Sequence, residues 1–239
     1  MAPSRRAEPQ RGLLIAFDGI DSSGKETQSR LLVERLRFRG FRVKKFSTPD
    51  YSTPTGQEIK ARLQNKLGDW NSTPWQQKME LFARNRAEHR EEVLAALALG
   101  EMVIYDRYIP SSLAFFTIDA SSIPKAHVQR EQIQRLIIQR EYDQNQMPRE
   151  DVSIFLDLPP HDADQLLKAR KVKSGDADEV TDSLAVQERL YNEYDILCKE
   201  DPSRFLRVRC LFGNQVLGID DVSELVWEGL ITRFPQLHI

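Results

Sequence analysis

A short stretch near the start of the chain combines glycines and a lysine at the spacing that a phosphate-binding loop needs. It covers residues 17–28 and reads FDGIDSSGKETQ, with four residues between Gly19 and Gly24 and with Lys25 directly after. Glycines let the backbone curl so that successive N–H groups face an anion, and a lysine supplies a point charge for the β- and γ-phosphates. The segments on either side decide whether this is a working loop or a chance match.

Both flanking segments have the pattern that the motif requires. Residues 13–17 read LLIAF, a continuous apolar run that is typical of a buried parallel strand. After the loop, Leu32 and Leu36 share one face of a predicted helix that begins at Lys25 and that Gly40 ends. This context predicts a nucleotide phosphate site formed by Gly19, Ile20, Asp21, Ser22, Ser23, Gly24, Lys25, Glu26 and Thr27.

The loop departs from the usual pattern at Glu26, where a serine or threonine hydroxyl normally binds Mg²⁺. A carboxylate is a good hard ligand for Mg²⁺, but it also places negative charge beside a triphosphate. An acid is favoured, in addition, in the first turn of a helix. We therefore expect Glu26 to point outward and Asp21 and Asp106 to hold Mg²⁺ through water, with direct ligation by Glu26 as the alternative.

Apolar runs alternate with amphipathic segments along all 239 residues, without repeats or low-complexity tracts. Further strands are predicted at 41–46, 102–105, 152–158 and 205–210. Helices are predicted at 59–67, 74–99, 111–118, 129–142, 162–170, 183–199 and 221–233. This alternation predicts an α/β fold with a single doubly wound parallel sheet and helices on both faces. The polar stretch 171–182 has no apolar period and is predicted to be a mobile loop inside the domain.

Composition narrows the partners and the compartment. The net charge of −2 excludes a general attraction to nucleic acid or to an anionic membrane, and no apolar run approaches a membrane span. Cys198 and Cys210 form neither a metal pair nor a disulfide framework, which indicates a reducing compartment. We expect a cytoplasmic protein with a flexible tail over residues 1–11 and one domain over residues 12–239.

Three further stretches carry residues suited to chemistry. Residues 105–108 read YDRY after a predicted strand, which places Asp106 and Arg107 at the sheet edge where open α/β folds bind ligands. Residues 81–86 read LFARNR and place Phe82 and Arg86 on one helical face. Residues 48–59 read TPDYSTPTGQEI. Together with the phosphate loop, and in this order and spacing, these stretches resemble thymidylate kinases over about residues 13 to 210.

The resemblance implies a P-loop nucleoside monophosphate kinase fold with a mobile lid over about residues 168–182. It implies transfer of the γ-phosphoryl group of ATP to dTMP, with Mg²⁺ as cofactor, and a homodimer. The catalytic residues that it implies are Lys25, Asp106, Arg107 and the lid residue Arg170. The residues that it implies for the acceptor are Asp21, Pro49, Tyr51, Phe82, Arg86, Arg107, Tyr108, Ser111, Ser112 and Phe115.

Several of these residues have specific implied roles. Lys25 would contact the transferring group, and Arg107 would clamp the phosphates of donor and acceptor. Phe82 would stack on thymine while Arg86 donates a hydrogen bond to a base oxygen, and Phe115 would crowd a ribose 2′-hydroxyl. From the residues alone, Phe82 is interpreted as a core aromatic, and Asp106 and Arg107 could be a structural ion pair.

One departure from the family pattern leaves the acceptor open. The resemblance implies an arginine just after the proline of residues 48–51, in contact with the dTMP phosphate, but this chain has Asp50 there. An acid beside a dianionic phosphate repels it, so either Asp50 turns away or the acceptor differs. A kinase for another pyrimidine or deoxynucleoside monophosphate, and a nucleotide-binding protein without turnover, are the two alternatives. The apolar positions Trp75, Met79 and Leu97 could serve a dimer or the core.

Overall fold

The computed structural model describes residues 11–121, 129–174 and 183–238, and of residues 170–174 it describes the backbone only. The strands are β1 Leu14–Asp18, β2 Val43–Ser47, β3 Met102–Asp106, β4 Val152–Asp157, β5 Phe205–Arg209, β6 Leu211–Phe212 and β7 Gln215–Val216. The α-helices are α1 Lys25–Phe38, α2 Pro54–Leu63, α3 Trp75–Ala87, α4 Arg90–Ala98, α5 Ile109–Ala120, α6 Arg130–Ile138, α7 Pro160–Ser174, α8 Leu184–Glu200 and α9 Ile219–Arg233. A π-helical turn follows α6 at Gln139–Gln144, and a 3₁₀ turn lies at Pro235–His238.

Strands β1 to β5 form one parallel sheet in the order β2-β3-β1-β4-β5. Every residue of β1 and β4 is buried, as expected for central parallel strands covered on both faces. The connection from β1 runs along the strand order past β3 to β2. The connection from β3 runs in the opposite direction, past β1, to β4. This reversal opens a crevice at the carboxyl ends of β1 and β3, where open α/β sheets bind ligands. The predicted doubly wound parallel sheet is confirmed.

The prediction of a single helix over 74–99 is wrong, because the helical geometry is interrupted between α3 and α4 at Glu88 and His89. Neither residue is a helix breaker, so the sequence carries no signal for this break. Glu88 accepts hydrogen bonds from the backbone N–H and hydroxyl of Thr55, and His89 Nε2 lies 2.9 Å from the carboxylate of Asp50. Contacts with the loop after β2 and with the first turn of α2 therefore hold the bend.

The three apolar positions that could serve either a dimer interface or the core belong to the core. Trp75, Met79 and Leu97 are each at most 8% exposed and pack in the main hydrophobic cluster. The homodimer stays a prediction, and this helix face is already used inside the chain. None of the helices in the described ranges is both long and apolar enough to cross a membrane.

The predicted mobile loop over residues 171–182 begins too early. Helix α7 continues to Ser174, because Lys171, Val172 and Lys173 tolerate helical geometry and Gly175 is the first residue that disfavours it. The rest of that loop, and the side chain of the predicted lid residue Arg170, lie outside the described residues. Arg11, the first described residue, donates two hydrogen bonds to Asp151, and the division into a tail and one domain stays a prediction.

Candidate active site

The loop between β1 and α1 has the backbone shape of an anion cradle. Gly19, Ser22 and Gly24 all have positive φ angles, of 143°, 58° and 93°, and they curl the chain between the strand and the helix. Side chains rarely tolerate such angles, which explains the two glycines of the motif. Helix α1 starts at Lys25 directly after this curl, so the partial positive charge of its N-terminus faces the same space. The sequence motif thus has the geometry that phosphate binding requires.

Lys25 lies within this loop and is only 6% exposed. Its ammonium donates a 2.5 Å hydrogen bond to the carbonyl of Ile20, at the base of the cradle. Burial, followed by the nearby Arg107 cation, lowers the pKa of Lys25 to about 7, although Asp21 and Asp106 oppose the shift. Without a ligand, the protein therefore stabilises the charged form of Lys25 only weakly. A bound polyphosphate would supply the negative charge that stabilises it.

Arg107 follows β3 and reaches across to the phosphate loop. Its φ of 64° is unusual for a residue with a side chain, and a 2.9 Å bond from its N–H to Phe17 O fixes the backbone there. The guanidinium donates to Gly19 O at 3.1 Å and forms an ion pair with Asp21. The Asp21 carboxylate also accepts a 2.9 Å bond from the Gln187 side chain. Arg107 thus pairs with Asp21, and the alternative of a structural pair with Asp106 finds no support among the described contacts.

Asp18, the last residue of β1, binds the turn that follows β3. It is not among the site residues predicted from the sequence. It is fully buried and accepts hydrogen bonds from Tyr108 N at 3.2 Å and from the hydroxyls of Ser111 at 2.5 Å and Ser153 at 2.6 Å. Ser111 also bonds Tyr194 at 2.9 Å. Asp18 therefore holds the turn that carries Arg107. An acid at the end of an otherwise apolar strand is the sequence signal that could have found it.

The loops after β1, β2 and β3 enclose one cleft of about 1230 Å³. Its polar lining includes the phosphate loop with Asp106, Arg107, Asp50 and Tyr51. Its apolar lining includes Leu158, Leu166, Cys210, Val216, Leu217 and Val222. A cleft lined by both charged and apolar side chains suits a nucleotide, whose phosphates and base have these two characters. Two lysines not singled out from the sequence, Lys45 and Lys60, also border this cleft.

Comparisons with known proteins agree with this geometry. A family model described as thymidylate kinase matches residues 17–211, which extend from the phosphate loop past β5. The chain belongs to the thymidylate kinase family.

Individual members of the thymidylate kinase family match over most of their length. The chain is 30% identical to the thymidylate kinase of Plasmodium falciparum, over 81% of each protein. It is 32% identical to a probable thymidylate kinase of Pyrococcus abyssi, over 77% of this chain and 82% of that protein. The solved structure of thymidylate kinase from Candida albicans superposes with a TM-score of 0.72 at 26% identity, covering 96% of this chain and 94% of that one.

The residues that the thymidylate kinase pattern assigns to the base and sugar form a second cluster that does not border the large cleft. Arg86 is 1% exposed and forms a buried ion pair with Glu141. It also donates to Tyr108 O at 3.3 Å and Ser112 Oγ at 3.1 Å. Burial lowers the pKa of Arg86, but the Glu141 carboxylate more than offsets this and holds that pKa above its usual value. The guanidinium therefore stays charged. The structure thus brings Arg86, Tyr108 and Ser112 together.

Aromatic rings complete this cluster on α3 and α5. Phe82 is partly buried, and its ring lies 5.9 Å from Phe116 in an edge-on contact and 6.3 Å from Trp70. Phe115 makes an edge-on contact with Phe116 at 5.3 Å. Phe82 therefore packs on other aromatic side chains and keeps an exposed part, so both the packing and the stacking interpretation remain compatible with its position.

Asp50 is held by its own surroundings. Its carboxylate accepts hydrogen bonds from the N–H of Ser52 at 2.8 Å and its hydroxyl at 2.7 Å, and it also contacts His89. The Asn85 side chain of α3 accepts from Asp50 N at 2.8 Å. Burial raises the pKa of Asp50, but Ser52 and His89 more than offset this and keep it below its usual value. The carboxylate thus stays ionised, and its partners are Ser52 and His89.

Proposed function

We propose that this chain transfers the γ-phosphoryl group of ATP to the 5′-phosphate of dTMP, giving ADP and dTDP. The observation that carries the proposal is the convergence of the phosphate loop, Lys25 and Arg107 on one cleft in a chain of the thymidylate kinase family. An oxygen of the acceptor phosphate bonds to the γ-phosphorus, and the bond from that phosphorus to the bridging β–γ oxygen breaks. Such transfers need positioning and charge neutralisation more than covalent help from the protein.

Each cation in the cleft has a separate task in this proposal. The loop N–H groups and Lys25 hold the β- and γ-phosphates. Arg107 exchanges part of its contact with Asp21 for phosphate oxygens and so offsets the repulsion between donor and acceptor. Arg170 is proposed to add a further charge from the lid.

Mg²⁺ fits the carboxylates that border the cleft. The two proposed groups are Asp21 and Asp106, which offer hard oxygen ligands, and Mg²⁺ usually takes its other ligands from water and phosphate. The described ranges contain no cluster of three or more His, Cys, Asp or Glu side chains that could hold a metal ion. Bound there with ATP, Mg²⁺ would neutralise charge that develops on the phosphate oxygens.

Replacing Glu26 tests whether Asp21 and Asp106, and not Glu26, hold the Mg²⁺. The residue is exposed in the first turn of α1, where a carboxylate is favoured without any ligand. We expect Glu26→Ala to change kcat by less than about tenfold, or about 1.4 kcal/mol of barrier, because Asp21 and Asp106 still act. Glu26→Thr should be neutral or mildly activating. Titrating Mg²⁺ against activity checks this, and a large shift of the alanine variant's curve to higher Mg²⁺ would make Glu26 a ligand instead.

The acceptor phosphate needs a positive partner in place of the arginine that the family pattern implies beside Pro49. Lys45 and Lys60 border the same cleft, and the ion pairs among the described residues include neither of them. Lys60 lies 5.9 Å from the ring of Tyr51, another cleft residue. We propose that these lysines supply that charge while Asp50 stays with His89.

A panel of acceptors in a coupled ADP-release assay tests the substrate. With ATP and Mg²⁺ present, dTMP should give the highest kcat/KM among dTMP, dUMP, dCMP, dGMP and UMP. Preference for another monophosphate would assign the chain to the first alternative, and ATP binding without ADP release for any acceptor would assign it to the second. Measuring the full panel matters because the Candida albicans thymidylate kinase is described as having broad substrate specificity.

We also propose a cytoplasmic homodimer without nucleic-acid or membrane partners. The two cysteines, Cys198 and Cys210, are both free thiols, which suits a reducing compartment. Light scattering at the enzyme concentration used in assays would measure the oligomeric state.

A further inference from the structure

The buried carboxylate of Glu141 is a feature that the proposed reaction does not yet use. Its side chain is fully buried, and one of its oxygens pairs with Nη1 of Arg86. Tyr108 O and Ser112 Oγ accept from Nη2 of the same guanidinium. Arg86 is therefore fixed on two edges by the protein. A guanidinium held in this way cannot turn to suit different ligands.

The same pair leaves polar atoms without partners. Among the described residues, neither Nε of Arg86 nor the second carboxylate oxygen of Glu141 has a hydrogen-bond partner. A buried donor left unpaired costs free energy, so such an atom indicates that a ligand or water completes it. Because guanidinium groups only donate, the group that pairs with Nε must be an acceptor.

The backbone around Glu141 explains why this carboxylate can reach Arg86. Glu141 lies in the π-helical turn Gln139–Gln144, a rare geometry that is frequent at functional sites. The turn is tied to α3, which carries Arg86. Arg140 pairs with Glu80 of α3 at 2.5 Å, and the Asn145 side chain donates to Ala83 O at 3.0 Å. These contacts fix the distance between Glu141 and the helix of its partner.

We propose that Glu141 is a positioning residue for base selection. It orients the guanidinium of Arg86 so that the unpaired Nε–H is kept for the carbonyl oxygen at C4 of the acceptor base. Thymine has an oxygen at C4, whereas cytosine carries an amino group there, which cannot accept from Arg86. This inference rests on the proposed function, since it assumes that Arg86 contacts the base of dTMP.

The test compares Glu141→Gln with wild type in binding and in turnover. Glutamine keeps the size and one acceptor oxygen but loses the charge. Calorimetry should show dTMP binding weakened by about 10- to 100-fold, with KM for dTMP raised to match. The kcat and the KM for ATP should stay within about threefold, because the phosphates are held elsewhere. The preference for dTMP over dCMP should fall, and Glu141→Asp, which restores the charge at shorter reach, should recover part of it.

A matched control separates this role from a loss of stability. Glu150 is also a fully buried carboxylate near the π-helical turn, but it pairs with Arg204 at 2.5 Å and with the hydroxyl of Tyr142 at 2.7 Å. Glu150→Gln should lower the melting temperature while leaving dTMP affinity and base preference unchanged. If both variants change dTMP affinity alike, or if wild type binds dTMP and Glu141→Gln binds it equally well, the inference is wrong. Wild type that fails to bind dTMP would overturn the proposed function as well. If Glu141→Gln does not fold, Glu141→Asp carries the same comparison.

Discussion

Replacing Arg107 with alanine should lower kcat/KM for dTMP by more than about 10³, the range measured for arginines that stabilise transferring phosphoryl groups. The reason lies in its position between Gly19 O and Asp21, at the junction of the β1 and β3 loops. An alanine there leaves the donor and acceptor phosphates without a shared cation. Steady-state kinetics with ATP and dTMP measures the change.

Two further variants make the Arg107 prediction specific. Arg107→Lys should recover only part of the activity, because lysine lacks the planar fork that contacts two oxygens at once. Arg130→Ala removes an arginine with two ion pairs, to Glu193 and Glu200, that does not border the cleft, and should leave kcat/KM near wild type. An Arg107→Ala enzyme within a few-fold of wild type would contradict the assigned role.

Lys25→Met should have two effects of opposite sign. Activity should fall by at least about 10² to 10³, because one preorganised charge at the transferring group is lost. The nucleotide-free protein should become more stable at pH 7. In the folded protein the pKa of Lys25 is lowered to about 7 from 10.5, so between these values the unfolded chain binds more protons. The cost of burying this lysine is thus fully present below pH 7 and is relieved as the pH rises toward 10.5.

Melting temperatures of wild type and Lys25→Met, measured without nucleotide from pH 7 to pH 10, test the second effect. The variant should melt higher at pH 7, and the difference should shrink as the pH rises. Lys45→Met is the matched control, since Lys45 borders the same cleft but is exposed. A Lys25→Met protein that melts below wild type at pH 7, or a difference that does not depend on pH, would contradict the lowered pKa.

Features of the fold and site that arise from neighbouring residues could be predicted from the sequence. The glycines at 19 and 24 indicated a curled loop because only that residue type adopts such φ angles freely, and the apolar runs indicated buried parallel strands. Asp106 and Arg107 could be placed at the sheet edge because they follow a strand directly. The alternation of apolar runs and amphipathic segments then predicted the parallel sheet with its flanking helices, but not the division into α3 and α4 or the short strands β6 and β7.

Features that depend on residues far apart in the chain could not be predicted. The break at His89 contains no glycine or proline and is held by Asp50, 39 positions earlier in the numbering. Glu141 lies 55 positions from Arg86, inside a turn whose π-helical geometry leaves no pattern in the sequence. The acid at the end of β1 marks Asp18 in the sequence, but its partners Tyr108, Ser111 and Ser153 come from distant parts of the chain and could not be predicted from it. For the same reason the sequence did not indicate that a buried carboxylate lies beside Arg86.

Phosphorus NMR of a mixture of ATP, dTMP, Mg²⁺ and catalytic amounts of this protein tests the central proposal most directly. The β- and γ-phosphate signals of ATP should decline together with the dTMP signal, while the signals of ADP and dTDP grow in equal amounts. The same mixture with Arg107→Ala should remain nearly unchanged over that time. Release of inorganic phosphate without dTDP, or a dTMP signal that persists while ATP is consumed, would contradict phosphoryl transfer between these two nucleotides.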